Sequence, residues 1–244
     1  MANNRTTRLI AAVLMMVLIA PSAQASLRDR IRERMAERME GQIAADQTLD
    51  GREMAYGRDA LQTLAFWAPA ARSKAPAPLI LFVHGGGWKR GDKTNATGKR
   101  KVAHLTAQGY ALASINYRLV PQATVEQQAA DVASALAYVV AQADELNIDP
   151  RRIVLMGHSA GAHLVARVGT DPRYLRDAGL GPDAPAGIVA LDGAAYDVAK
   201  QMKAGPRFMG ETYAQAFGTD PARQRALSPT HHATAPNAPA FLIF

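Results

Sequence analysis

The chain of 244 residues has no cysteine. That excludes disulfides, thiolate nucleophiles and lipid attachment to an N-terminal cysteine. Aromatic residues are scarce at 6 %, and none interleaves with the richest basic cluster, Lys89, Arg90, Lys93, Lys99, Arg100 and Lys101, which has only Asp92 among it. A formal net charge of +7 without that interleaving fits solubility and loose attraction to anionic surfaces, not a dedicated nucleic-acid face. The cluster itself reads as a solvated loop and helix start. No apolar run reaches the roughly 20 residues a membrane span needs. There is no internal repeat or low-complexity tract, and no insertion long enough to make a full second domain.

What is present begins with a leader. Arg5 and Arg8 precede the apolar stretch Leu9 to Ala20, Pro21 breaks it, and Ala23-Gln24-Ala25 offers the small-x-small pattern cut by a signal peptidase. Residues 1–25 are therefore expected to be a cleaved signal peptide, which implies export to a periplasm or beyond and no stable membrane insertion. Residues 26–50 follow as an N-terminal amphipathic helix. Leu27, Ile31, Met35 and Met39 form one apolar stripe between arginines and glutamates, suited to docking or to a lid.

The remainder, 51–244, alternates apolar runs with helical periodicity, as an α/β domain with a mostly parallel central sheet and helices on both faces requires. Strands are expected at Leu61 to Trp67, Leu79 to Val83, Tyr110 to Ile115, Ile153 to Met156 and Gly187 to Leu191. Helices are expected at Gly98 to Gln108 and Val125 to Ala143. The last apolar run, Ala240 to Phe244, reads as a buried strand.

Two motifs carry the chemistry. Gly157-His158-Ser159-Ala160-Gly161 lies between an apolar strand and a small-residue helix, the setting in which G-x-S-x-G forms a nucleophile elbow. Glycines at the flanks allow a sharp turn, and the turn lifts Ser159 Oγ to a helix N-terminus that favours developing negative charge. About seventy residues upstream, His84-Gly85-Gly86-Gly87-Trp88 follows another strand. Its glycines let backbone N–H groups approach a bound carbonyl oxygen.

With both motifs in this order, the chain resembles the α/β-hydrolase carboxylesterases of the hormone-sensitive-lipase-like and feruloyl-esterase-like (BD-FAE) group, with arylformamidases as relatives. The resemblance runs from about Tyr56 to the last residue. Besides the two motifs it includes Tyr56 to Asp59, Asn116-Tyr117-Arg118-Leu119, Asp149 to Ile153 and Leu227-Ser228-Pro229. It implies an α/β-hydrolase fold with Ser159 as nucleophile and the amides of Gly85, Gly86 and Ala160 as oxyanion hole. His84, Gly87, Trp88, His158 and Tyr117 would line the pocket or support the loop. Trp88 is expected either as an acyl-pocket wall or as a loop anchor, and Tyr117 as a brace for the glycine loop. No metal and no cofactor are implied, and the expected partner is a small-molecule ester.

A serine nucleophile needs a histidine base and a carboxylate to orient it. The resemblance places both beyond the final strand, so the C-terminal strand and helix that follow are expected to be missing from a C-terminally incomplete chain. Within the sequence, Asp192 or Asp197 with His231 or His232 is the alternative constellation, although turn and capping roles suit these residues better. His163, like His158, flanks the elbow and is expected to pack beneath it. The reading is a serine carboxylic ester hydrolase acting on short or aromatic acyl esters. An arylformamidase-like amide hydrolase and a non-catalytic or decayed binding module are its rivals.

Overall fold

The computed structural model describes residues 51–71, 73–205, 209–234 and 236–244. The expectations for the signal peptide and the amphipathic helix fall outside them. Seven strands form one sheet in the order β1-β2-β4-β3-β5-β6-β7: β1 (Arg52–Ala55), β2 (Thr63–Trp67), β3 (Ala77–Val83), β4 (Ala111–Ile115), β5 (Ile148–His158), β6 (Gly187–Leu191) and β7 (Phe241–Ile243). The first three in that order pair antiparallel, and every pairing from β4 to β7 is parallel. A parallel sheet needs crossover helices that bury both its faces. Accordingly Leu79, Leu81 and Val83 of β3, Ile153 and Leu155 of β5 and Ile115 of β4 are fully buried.

The helices are α1 (Lys93–Ala107), α2 (Val125–Ala141), α3 (Ala143–Leu146), α4 (Ala160–Thr170), α5 (Pro172–Asp177), α6 (Val198–Ala204), α7 (Gly210–Phe217) and α8 (Pro221–Ala226), with a 3₁₀ turn at Pro229–His231. Helix α2 starts in a capping box. Thr124 accepts from the Gln127 amide, and the Gln127 side chain accepts from the Thr124 amide. Its face of Val125, Ala129, Val132, Leu136 and Val139 is fully buried. Helix α1 begins five residues earlier than its apolar pattern suggests, because Asp92 caps it at Thr94 and the non-helical Gly98 (φ 66°) interrupts it. The basic cluster there is only partly solvated. Lys93 is buried, with Nζ 3.2 Å from both Thr63 Oγ1 and Glu53 Oε2, and Lys101 Nζ sits 3.5 Å from the centre of the Phe82 ring.

The final strand departs from expectation. β7 pairs with β6 alone, from Ile188↔Phe241 to Ala190↔Ile243, and its residues are exposed, Leu242 at 52 % and Ile243 at 56 %. An edge strand has a neighbour on one side only, so apolar sequence does not by itself bring burial. Among the described residues, no helix is long and apolar enough to cross a membrane.

Candidate active site

Strand β5 turns into α4 at Ser159, whose φ of 52° and ψ of −116° lie where side chains are strained. The glycines around it are dictated by contact. A methyl group on Gly157 would fall 2.2 Å from the Gly161 carbonyl oxygen, and one on Gly161 would fall 2.2 Å from that of Val83. The Ser159 amide donates to Leu191 O at 2.9 Å, tying the elbow to β6. Ala160 is the first helical residue, so its N–H has no partner within α4.

The loop after β3 wraps against this elbow. A Cβ on Gly85 would lie 3.1 Å from Ser159 Cβ and 2.9 Å from the His158 carbonyl oxygen, so only glycine permits the approach. Gly86 (φ 123°), Gly87 (φ 61°) and Trp88 (φ 62°) continue in the left-handed region. The amides of Gly85 and Gly86 make no backbone hydrogen bond among the described residues. The Ala160 amide, at the start of α4, likewise has no backbone partner among the described residues.

Each residue holding this loop can be named. His84 is buried and stacked on Tyr117, with ring centres 4.3 Å apart. Its Nδ1 donates to Gly85 O at 2.7 Å, since a carbonyl can only accept. Burial lowers its pKa against the opposing pull of that bond, which keeps the ring neutral. Tyr117 donates to His84 O at 2.9 Å. Trp88 is an anchor and not a pocket wall: it is 1 % exposed, its Nε1 donates to His163 Nδ1 at 3.3 Å, and its ring meets Phe217 edge-on at 4.7 Å. His163 is wholly buried and donates from Nε2 to Leu227 O at 2.9 Å. Desolvation pushes its pKa down to about 4.

The two histidines flanking the serine part company. His163 packs under the helix as expected. His158 does not: its side chain is half exposed, its Nδ1 would be 3.1 Å from a Cβ on Gly85, and its Nε2 lies 4.0 Å from Asp192 Oδ2. It therefore stands at the rim of the site. The constellation of Asp192 or Asp197 with His231 or His232 is not assembled. Asp197 caps α6 by accepting from the Lys200 amide, His232 Nε2 donates to Ala226 O, and His231 is exposed in the 3₁₀ turn. Among the described residues Ser159 Oγ has no hydrogen-bond partner, and no cluster of side chains suited to a metal ion is present.

Against this geometry, the chain was compared with known proteins. The family model BD-FAE matches residues 64–177, a stretch that includes both the glycine loop and the elbow. Residues 64–177 are thus similar to BD-FAE domains. Esterase LipC of Mycobacterium tuberculosis is 35 % identical over 135 residues, covering 54 % of this chain and 33 % of that protein. A probable isoprenylcysteine alpha-carbonyl methylesterase of Oryza sativa is 35 % identical over 115 residues, 47 % of this chain and 27 % of that one. Kynurenine formamidase of Drosophila melanogaster is 33 % identical over 99 residues, 41 % and 32 %. The matched stretches thus span about a third or less of these curated relatives. In structure, an inhibited esterase B from Lactobacillus rhamnosis superimposes with a TM-score of 0.72 at 22 % identity, covering 89 % of this chain and 74 % of that one. Butyrate-bound esterase 2 of Thermogutta terrifontis gives 0.63 at 26 %, covering 80 % and 72 %. The fold is that of the α/β hydrolases.

Several supports of the glycine loop and its surroundings escaped the sequence reading. Asp131 on α2 is buried and takes Arg118 through Nε and Nη2, the Arg118 amide, and Gln62 Nε2. Gln128, one turn before it, donates to Trp88 O at 2.7 Å. Both polar side chains lie on the apolar face of α2, and that mismatch was the available signal. Asn116 accepts from the Lys93 amide and donates to Asp92 Oδ2, while Tyr56 donates to Asn116 O. Burial pushes the Asp92 carboxyl up, but the hydrogen bonds from Thr94 and Asn116 outweigh it and hold its pKa low. Beyond residues 64–177, Phe217, Tyr213 and the Leu227 carbonyl complete the packing of Trp88 and His163.

Proposed function

We infer that the chain is a serine-dependent carboxylic ester hydrolase acting on short or aromatic acyl esters. The observation that supports this is the closeness of Gly85 to Ser159, whose Cβ lies 3.1 Å from where a Cβ on Gly85 would fall. On this reading the Gly85, Gly86 and Ala160 amides hold the ester carbonyl oxygen beside Oγ. Ser159 Oγ attacks the carbonyl carbon as its O–H proton passes to a base or water, and the negative charge moves to the oxygen held by the three amides. The C–O bond breaks as the alcohol oxygen takes up a proton, and water then cleaves the acyl-enzyme to release the acid and restore the Ser159 hydroxyl. The similarity to an esterase and to methylesterases supports the same reading. The leader expected at residues 1–25 fits an exported enzyme, and N-terminal sequencing of the secreted product should begin at Ser26.

The deciding test is turnover of p-nitrophenyl acetate beside N-formylkynurenine, with Ser159→Ala as control. The ester is expected to be preferred and all hydrolysis to vanish in the variant. Preference for the formamide would favour the formamidase reading, which the likeness to the Drosophila enzyme supports. Among the described residues no imidazole is hydrogen-bonded to Ser159 Oγ, and a serine without a general base loses about 10⁴-fold or more in turnover. A polypeptide of these 244 residues is therefore expected to be a slow hydrolase that still takes a fluorophosphonate label at Ser159, detected by intact mass. Absence of label in a folded chain would leave the reading of a non-catalytic binding module.

A further inference from the structure

Arg167, two turns into α4, is 1 % exposed. Its Nη2 meets Asp171 Oδ2 at 2.6 Å, but Nε and Nη1 are buried without a hydrogen-bond partner. Leaving such donors unmatched is costly, more so on a charged group. Asp171 cannot offset this cation alone. It also receives Nε and Nη2 of Arg173 at 2.9 and 2.7 Å, and its carboxylate caps α5. Two guanidinium groups thus share one carboxylate. The other nearby acids are taken as well: Glu126 is held by both arms of Arg223 at 2.8 and 2.9 Å, and Asp177 by Arg176. One positive charge is left over.

That charge borders a cavity of about 310 Å³, lined by Arg167, Arg173, Tyr174, Ala226, Leu227 and the carboxylates of Glu126 and Asp177, each already held by its own arginine. The Tyr174 ring lies 5.4 Å from the Arg167 guanidinium carbon, and its hydroxyl interacts with that group as well. Arg167 is eight residues beyond Ser159 on the same helix, roughly 12 Å along its axis, so this cavity is separate from the ester site. We propose that the cavity binds a small oxyanion, a carboxylate or a phosphate, through the unmatched donors of Arg167. An anion there completes the hydrogen bonding of a buried guanidinium and neutralises the excess charge, two demands that an apolar or cationic ligand leaves unmet.

The test is isothermal titration calorimetry with thermal melts of the 244-residue chain at pH 7. Acetate, benzoate and inorganic phosphate are each compared with chloride at equal ionic strength. At least one oxyanion is expected to bind saturably at one site per chain and to raise Tm. The tighter of carboxylate and phosphate identifies the source. Arg167→Met keeps the buried stem without the donors. Ala226→Phe fills the cavity from an exposed position and leaves the guanidinium in place. Each is expected to weaken binding at least tenfold, while Ser159→Ala binds as the parent does. Lack of saturable binding by all three anions, undiminished binding in either cavity variant, or loss of binding in Ser159→Ala overturns the proposal.

Discussion

A methyl group on Gly161 would meet the Val83 carbonyl 2.2 Å away, and one on Gly85 would meet Ser159 Cβ at 3.1 Å. These two positions separate stability from chemistry. Gly161→Ala presses on strand backbone that cannot yield, and should cost about 3 kcal/mol or more by urea unfolding. Gly85→Ala presses on Ser159 and shifts the Gly85 and Gly86 amides, so, if the proposed function holds, its main effect is a fall in kcat of about 10²- to 10³-fold. His163 adds a pH dependence. Its folded pKa, lowered to about 4 by burial, lies below the unfolded value near 6.5, so the unfolded chain takes up the proton first. Stability is then full above about pH 6.5 and falls as the pH drops toward 4, by about 3 kcal/mol. Burial lowers the pKa of His84 as well, which acts in the same direction. Denaturant midpoints between pH 7 and 4 should trace this decline, and His163→Gln should be weaker at pH 7 but flatter.

At the scale of elements, α7 is the one whose role is least visible in sequence. Its Phe217 and Tyr213 hold Trp88, and Thr212 Cγ2 lies where a Cβ on Gly87 would fall, at 2.8 Å. Phe217→Ala should therefore cost about 3 to 5 kcal/mol and also reduce ester turnover, read as kcat/KM on p-nitrophenyl acetate at a temperature where the variant remains folded. Strands β3, β4, β6 and the apolar stretch Ile153 to Met156 of β5 were legible as short apolar runs, whereas β5 itself begins five residues earlier, at Ile148, through a polar segment that carries no strand pattern. The elbow and the glycine loop were legible because their glycines answer to backbone contacts that no other residue permits. The supports were not. Asp131, Gln128 and the Leu227 carbonyl act across 13, 40 and 64 residues of sequence, and periodicity does not report which distant partner a buried polar side chain meets. Trp88 failed as a guide for the same reason, since an aromatic residue beside a glycine loop suits a pocket wall and a buried anchor equally.

Among the described residues, the sheet is well covered in its middle and exposed at β7. Phe241, Leu242, Ile243 and Phe244 present apolar side chains to solvent on an edge strand, a surface that pairs with like edges. The 244-residue polypeptide should self-associate as its concentration rises, and Leu242→Lys should return it toward the monomer in size-exclusion chromatography with light scattering. Equal association in both would point to another surface.

The support of the glycine loop also sets an order of events on the ribosome. Trp88 rests on His163, 75 residues later, and His163 on Leu227, 64 later still. Synthesis runs from the N-terminus, so a nascent chain that has exposed the elbow but not Leu227 carries the serine without a fixed oxyanion loop. Such a chain is expected to ignore activated phosphonates until the segment around Leu227 leaves the exit tunnel. Labelling of stalled chains of increasing length would place the onset of reactivity at that point.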